Sequence, residues 1–185
     1  MTWVDINKGD ALEPNYRSRL VAREINTQEK PEWFPATPPG ETLRLMLSRY
    51  VSSRHNKLMY ADVSRAYFYA PPVRAVYVRL PAEDQGPEDA GMVGRSQMSM
   101  YGTLGAAANW AAEYSSTLIA AGYKRGIAGP CVFYNKATAT AVMVHGDDFL
   151  VSVGRMSLRS CGKTSKTNIS SKLRHSDEIP MTLRN

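Results

Sequence analysis

Apolar residues recur along the chain in two periods, one typical of helices and the other typical of strands. Between Glu41 and Ser53 their spacing predicts a buried amphipathic helix. Between Ala106 and Ala121 an alanine-rich run predicts a second helix, which ends at Gly122, a residue that commonly stops helices. Shorter alternating or continuous apolar runs predict strands at 16–24, 58–63, 75–80, 131–135, 139–144 and 149–153.

The segments outside these elements divide the chain into three parts. Residues 1–15 form a lead-in with no clear periodicity, and residues 16–154 hold every predicted element. Prolines between positions 31 and 39 predict a loop, and residues 81–94 predict an acidic loop. Residues 155–185 are rich in Ser, Lys, Arg and Thr and have few large apolar residues, which predicts a basic, disordered tail.

Charge adds little to this picture. The chain carries a net charge of +6, and the tail alone, with seven basic and two acidic residues, contributes +5. A basic tail binds phosphates nonspecifically, but a solvated tail is the commoner explanation, so the charge does not decide the function. No segment has the length of a membrane helix, and the N-terminus has no signal-peptide pattern. We therefore expect an intracellular protein, in the cytoplasm or nucleus, without a membrane partner.

The candidate chemistry lies in three aspartates. Asp147 and Asp148 fill a predicted hairpin turn between two apolar strands, and Asp62 follows the apolar run of another strand. Gly-Asp-Asp is also a good turn sequence, and a lone Asp after a strand is commonly a cap, so both ordinary explanations stay open. Adjacent carboxylates at the edge of a core raise the electrostatic free energy unless cations neutralise them.

Six ordered segments make the sequence similar to the reverse transcriptase domain of Ty1/copia retrotransposons. The resemblance covers residues 16–154, and each segment would be weak alone. The segments are YRSRLVAR at 16–23, FPAT and TLRLML between 34 and 47, MYADVSRAYF at 59–68, AVYVRLP at 75–81, SMYGTLGAAANW at 99–110 and HGDD at 145–148.

The resemblance implies an RNA-directed DNA polymerase with an α+β fold. Its palm would be an antiparallel sheet with helices on one face, its fingers would be small and N-terminal, and no thumb segment follows Gly154. Asp62, Asp147 and Asp148 would be the catalytic carboxylates and the ligands of two Mg²⁺ ions, with Mn²⁺ as a substitute, and Asp62 and Asp147 would bind most directly. The partners would be an RNA or DNA template with its primer, and a dNTP.

The resemblance also implies a nucleotide-binding set. Arg17 and Arg19 would reach the triphosphate, although a solvated basic strand face explains them equally well. Tyr67 would lie beneath the incoming sugar, where a bulky ring excludes a 2′-hydroxyl, unless it is a core aromatic. Gly105 stands where the family has a glutamine against the nucleotide.

The nucleotide pocket departs from the family pattern. Leu104, Gly105 and Ala108 replace a lysine, a glutamine and an arginine, and His145-Gly146 replaces Tyr-Val in the hairpin. Two hypotheses follow from this. The chain is either a truncated polymerase core, or a catalytically dead remnant that folds as a palm and binds nucleic acid weakly.

Overall fold

The computed structural model describes residues 1–25, 33, 35–89, 91–154 and 181–184. The chain divides into two compact units: Met1–Pro35 with Tyr67–Ala112, and Ala36–Ala66 with Glu113–Asn185. In chain order the strands and α-helices are β1 (Thr2–Asn7), β2 (Tyr16–Val21), α1 (Gly40–Val51), β3 (Lys57–Val63), β4 (Tyr77–Arg79), β5 (Val93–Arg95), α2 (Ala106–Ala120), β6 (Lys124–Arg125), β7 (Val132–Asn135), β8 (Thr140–His145), β9 (Asp148–Val153) and β10 (Met181–Arg184).

These elements confirm the predicted α+β class. Each strand pair in the described residues is antiparallel. No helix in the described part of the chain is long and apolar enough to cross a membrane.

The first unit begins with a hairpin that corrects the prediction for residues 1–15. β1 pairs with β2 in full register, so the predicted lead-in contains a strand. Its Trp, Val and Ile favour extended backbone, and the Asn7-Lys8-Gly9-Asp10 segment after it is rich in turn formers. The Asn7 carboxamide oxygen accepts the Gly9 and Asn15 N–H groups at 3.0 and 2.8 Å and closes the connection. The strand was missed because polar residues flank a short apolar pattern.

The end of β2 continues into a second backbone ladder of the first unit. The Ala22 N–H donates to the Tyr101 carbonyl at 2.7 Å, and the Glu24 N–H donates to the Gly102 carbonyl at 3.1 Å. Gly102 has φ +85°, and a Cβ there would stand 1.8 Å from the Ala22 carbonyl oxygen. Only glycine fits this approach, because the φ is left-handed and the space is filled by backbone.

A short ribbon completes the strands of the first unit. β4 pairs with β5, and the loop between them holds two 3₁₀ turns, Ala82–Asp84 and Pro87–Asp89. The prediction of a strand at 75–80 is confirmed in its centre. The predicted loop at 81–94 ends earlier in the structure, because Val93 and Gly94 belong to β5.

The second unit is built on a six-stranded sheet with the order β10-β3-β9-β8-β7-β6. Side chains alternate between its faces, and the register defines which residues share each face. Ala141, Met143 and Leu150 lie on one face, where Met46 of α1 packs against them. Phe133 and Phe149 lie on the other face, where the Tyr114 ring of α2 meets both edge-on at centroid distances of 6.0 and 5.9 Å.

This arrangement corrects the predicted placement of the helices. They were expected on one face of the sheet, but α1 packs on one face and Tyr114 of α2 packs on the other. β8 explains the difference, since every residue from Thr140 to Val144 is buried. A strand buried on both faces needs packing partners on both.

Both α-helices begin and end close to the predicted bounds. α2 stops in the manner expected for a glycine at its end: Gly122 has φ +86°, and the Gly122 and Tyr123 N–H groups donate to the carbonyls of Ile119 and Leu118. These two bonds satisfy carbonyls that the last turn leaves without helical donors.

The predicted disordered tail is corrected at one place. Met181–Arg184 forms β10, which pairs with β3 at the edge of the sheet. β3 therefore has strand neighbours on both sides. The prediction of disorder for 155–180 and 185 concerns residues outside the described ones.

The packing of α1 can be tested with two adjacent residues of that helix. Met46 is 2% exposed and Leu45 is 64% exposed. Met46→Ala should lower the free energy of unfolding by about 2–5 kcal/mol, because it leaves a cavity against the sheet. Leu45→Ala, the matched control, should change it by less than about 1 kcal/mol. Chemical denaturation measures both, and equal losses would contradict the packing described.

Candidate metal centre

Three aspartates of the second unit converge at one end of the six-stranded sheet. Asp62 lies near the end of β3, Asp147 is the second residue of the β8–β9 loop, and Asp148 begins β9. One carboxylate oxygen from each lies within 4.8 Å of those from the other two. The three sequence-predicted metal ligands are therefore brought together.

Strand register and one hydrogen bond produce this convergence. Asp62 pairs directly with Asp148 across β3 and β9, so both side chains point to the same face. The Val63 N–H donates to the Asp147 carbonyl at 2.9 Å, which ties the loop to the end of β3. Each residue is thus positioned by backbone geometry.

The predicted hairpin is confirmed, but its turn is shorter than the predicted 145–148, because Asp148 belongs to β9. His145 pairs with Asp148, which leaves Gly146 and Asp147 between the strands. Gly146 has φ +64° and Asp147 has no positive φ, as in the hairpin turn that takes glycine at its first central position. Glycine here lets the chain reverse within two residues and present consecutive carboxylates.

The donor set fits a hard divalent cation. Asp62 and Asp148 are half-buried and Asp147 is exposed, so three like charges share a partly desolvated corner. Mg²⁺ binds oxygen at about 2.0–2.1 Å, so two ligands of one ion lie at most about 4.2 Å apart. Neighbouring ligands of an octahedral ion lie only about 3 Å apart, so the carboxylates would have to move closer together when an ion binds. Within the described ranges, no other group of three His, Cys, Asp or Glu side chains converges in this way.

Tyr60 is a residue of this centre that the sequence analysis missed. It precedes Asp62 by two positions on β3 and shares its face, and its hydroxyl donates to Asp148 Oδ1. That hydrogen bond, followed by burial and by the charges of Asp148, Asp62 and Asp147, raises the pKa of Tyr60 to about 12. Tyr60 therefore stays a neutral donor at physiological pH. Its position two residues before Asp62 in a predicted strand places both side chains on one face, and this was the sequence signal that could have revealed it.

The predicted nucleotide-binding residues all belong to the first unit. Arg17 and Arg19 are exposed on β2, and their alternate positions place them on one face, opposite Ile6 and Val4 of β1. This confirms that the two guanidinium groups share a face. Their binding to a triphosphate stays a prediction.

Tyr67 lies in a 3₁₀ turn, Ala66–Tyr69. Its ring packs on that of Tyr101 with centroids 4.5 Å apart, and Phe68 meets the same ring edge-on at 5.8 Å. The contact fits the packing interpretation that was left open for Tyr67. A role beneath the incoming sugar stays a prediction.

Gly105 caps the start of α2, since its carbonyl accepts the Asn109 N–H at 2.9 Å. It lines a cavity of about 330 Å³ together with Trp33, Val73, Ala108 and Asn109, among others. A Cβ at Gly105 would lie 3.7 Å from its nearest neighbour, Asn109 Nδ2. The position therefore has room for a side chain and carries none.

Glu24 holds the loop before Gly105, and the sequence analysis missed it too. Its Oε2 accepts the Leu104 N–H at 2.9 Å, and its Oε1 pairs with the Arg74 guanidinium. Arg74 also lies over the Trp33 ring, 5.4 Å from its centroid. Burial tends to raise the pKa of Glu24, but the bonds from Arg74 and Leu104 outweigh it and hold the pKa below its ordinary value.

Comparisons with known proteins gave no match: no family model, no curated protein and no solved structure is similar to the chain at a significant level.

Replacing two glycines of the same segment by alanine should affect the free energy of unfolding very differently. Gly105→Ala should change the free energy of unfolding by less than about 1 kcal/mol, because its Cβ has room. Gly102→Ala should lower it by more than about 3 kcal/mol or prevent folding, because the Cβ meets the Ala22 carbonyl in a left-handed conformation. Thermal and chemical denaturation measure both. A tolerated Gly102→Ala would contradict the described approach.

The Glu24–Arg74 pair should make stability depend on pH. Because the folded state lowers the pKa of Glu24 below its ordinary 4.5, its contribution is present above that pH and is lost as pH falls through the folded pKa. Glu24→Gln should therefore cost about 1 kcal/mol at pH 7, with the difference from the unmodified chain shrinking at lower pH. Denaturation curves from pH 7 to 3 measure it, with exposed Glu83→Gln as control. A pH-independent difference would contradict this.

Proposed function

We propose that the chain is the fingers-and-palm core of a reverse transcriptase of the Ty1/copia type. The reaction is transfer of a dNMP unit from a dNTP to a primer 3′-hydroxyl, with release of pyrophosphate. One observation carries the proposal: Asp62 of one chain segment and the adjacent Asp147 and Asp148 of another converge, with one carboxylate oxygen of each within 4.8 Å of the others. The six ordered sequence segments support the assignment to a polymerase.

The predicted site residues would have separate roles in this reaction. Asp62 and Asp147 would hold two Mg²⁺ ions, and Asp148 would add negative charge that favours cations at the same corner. When bound, the ions lower the pKa of the primer hydroxyl and neutralise the triphosphate. Arg17 and Arg19 bind phosphate oxygens from their shared strand face. Tyr67 excludes a 2′-hydroxyl and so favours dNTPs.

A second function is favoured by a specific observation in the first unit. The cavity is lined by Gly105 and Ala108, at the positions where the family has a glutamine and an arginine. A chain that lacks these groups would bind nucleic acid without turning over nucleotides. This alternative is a retroelement remnant with an assembled but inactive carboxylate centre.

Primer extension separates the two functions. The unmodified chain should extend oligo(dT) on poly(rA) with dTTP and Mg²⁺ or Mn²⁺. Asp147→Asn should reduce the rate by at least about 100-fold, because the loss removes a direct ligand of both ions. Radiolabelled product length measures the activity.

The matched control is Asp84→Asn, which neutralises an exposed carboxylate of the 3₁₀ turn Ala82–Asp84. It should extend primers at the unmodified rate. Equal extension by the unmodified chain and Asp147→Asn would end the polymerase proposal. No extension by any variant, with nucleic-acid binding retained, would favour the remnant.

A further inference from the structure

Tyr60 donates a hydrogen bond to one of the three aspartates, Asp148, and the resemblance does not imply this contact. Asp62 pairs with Asp148 across the strands, whereas Tyr60 pairs with Leu150. Tyr60 is thus the diagonal neighbour of Asp148, at a distance that a long aromatic side chain spans. Its hydroxyl takes Asp148 Oδ1 as acceptor.

Packing alone does not account for Tyr60. The residue is 41% exposed on β3, so it is not a core residue. Its functional group nevertheless points along the sheet to a carboxylate that already faces another carboxylate. A neutral donor stabilises a carboxylate, since hydrogen bonds to charged acceptors are stronger than those between neutral groups. The phenol therefore offsets part of the repulsion among the three aspartates.

The bond also restricts what Asp148 can do for a metal ion. The tyrosine occupies one lone pair of Oδ1, so Oδ2 is the oxygen of Asp148 with more lone pairs left for a cation. The bond further limits rotation of the Asp148 carboxylate, because its acceptor atom has a fixed partner on the neighbouring strand. Outer ligand partners of this kind orient the groups that bind metals.

We propose that Tyr60 is a positioning residue of the metal centre, which holds Asp148 by Oδ1 so that Asp62 and Asp147 are the principal ligands and Asp148 is an oriented auxiliary one. This inference rests on the proposed metal site and not on polymerase turnover. It concerns this chain's own residues, since the resemblance names no tyrosine at this position.

Binding of Mn²⁺ to the full chain, followed by the electron paramagnetic resonance signal of free Mn²⁺, tests the inference without nucleic acid. Tyr60→Phe removes only the hydroxyl and should weaken Mn²⁺ binding about 10-fold. The matched control is Tyr134→Phe, a tyrosine of the same sheet that is 39% exposed. It should bind Mn²⁺ as the unmodified chain does.

A double-mutant cycle shows whether Tyr60 acts through Asp148. Asp148→Asn should retain weakened Mn²⁺ binding, because Asp62 and Asp147 remain. Adding Tyr60→Phe to it should change the Kd by less than about 2-fold, since the acceptor's charge is already gone. A general structural effect of Tyr60→Phe would persist in both backgrounds, which makes the cycle diagnostic.

Several results would overturn the inference. They are an unchanged Kd in Tyr60→Phe, an undiminished effect of Tyr60→Phe in the Asp148→Asn background, and complete loss of Mn²⁺ binding in Asp148→Asn. Absence of Mn²⁺ binding by the unmodified chain would overturn both this inference and the metal site. Tyrosine-dependent Mn²⁺ binding without primer extension would keep this inference and reject the polymerase.

Discussion

The register of β3 against β9 is the constraint on which the candidate centre depends. It sets Asp62 directly opposite Asp148, and the bond from the Val63 N–H to the Asp147 carbonyl holds the loop at the same level. A slip of one residue would turn Asp62 to the opposite face. Buried apolar residues on both faces of the sheet oppose such a slip, because every side chain would exchange sides. The core therefore determines where the carboxylates stand.

Much of this sheet could be predicted because its signals are local. The apolar runs around Asp62 and Asp147 mark strands by their composition, and Gly146 marks the turn between them. Gly122 stops α2 through bonds within its own last turn, so a short window of sequence contains the information. The convergence of the aspartates was expected from the resemblance, which implies that Asp62 and Asp147 bind the same ions.

The features that were missed depend on partners distant in the chain. β1 has too short an apolar pattern to stand out, and it becomes a strand because β2 pairs with it. The placement of α1 and α2 on opposite faces depends on which faces of β8 are buried. Tyr60 and Glu24 resemble ordinary surface residues until the fold supplies Asp148 and Leu104 as partners. Periodicity carries no information on such pairings.

Crystals grown with Mn²⁺ test most directly the proposal that two divalent ions bind at Asp62 and Asp147. An anomalous difference map at the manganese edge should show two peaks about 3.5–4 Å apart, bound by these two carboxylates. Tyr60 should still donate to Asp148 beside them. The absence of manganese from this corner, in crystals in which the three aspartates are ordered, would contradict the account.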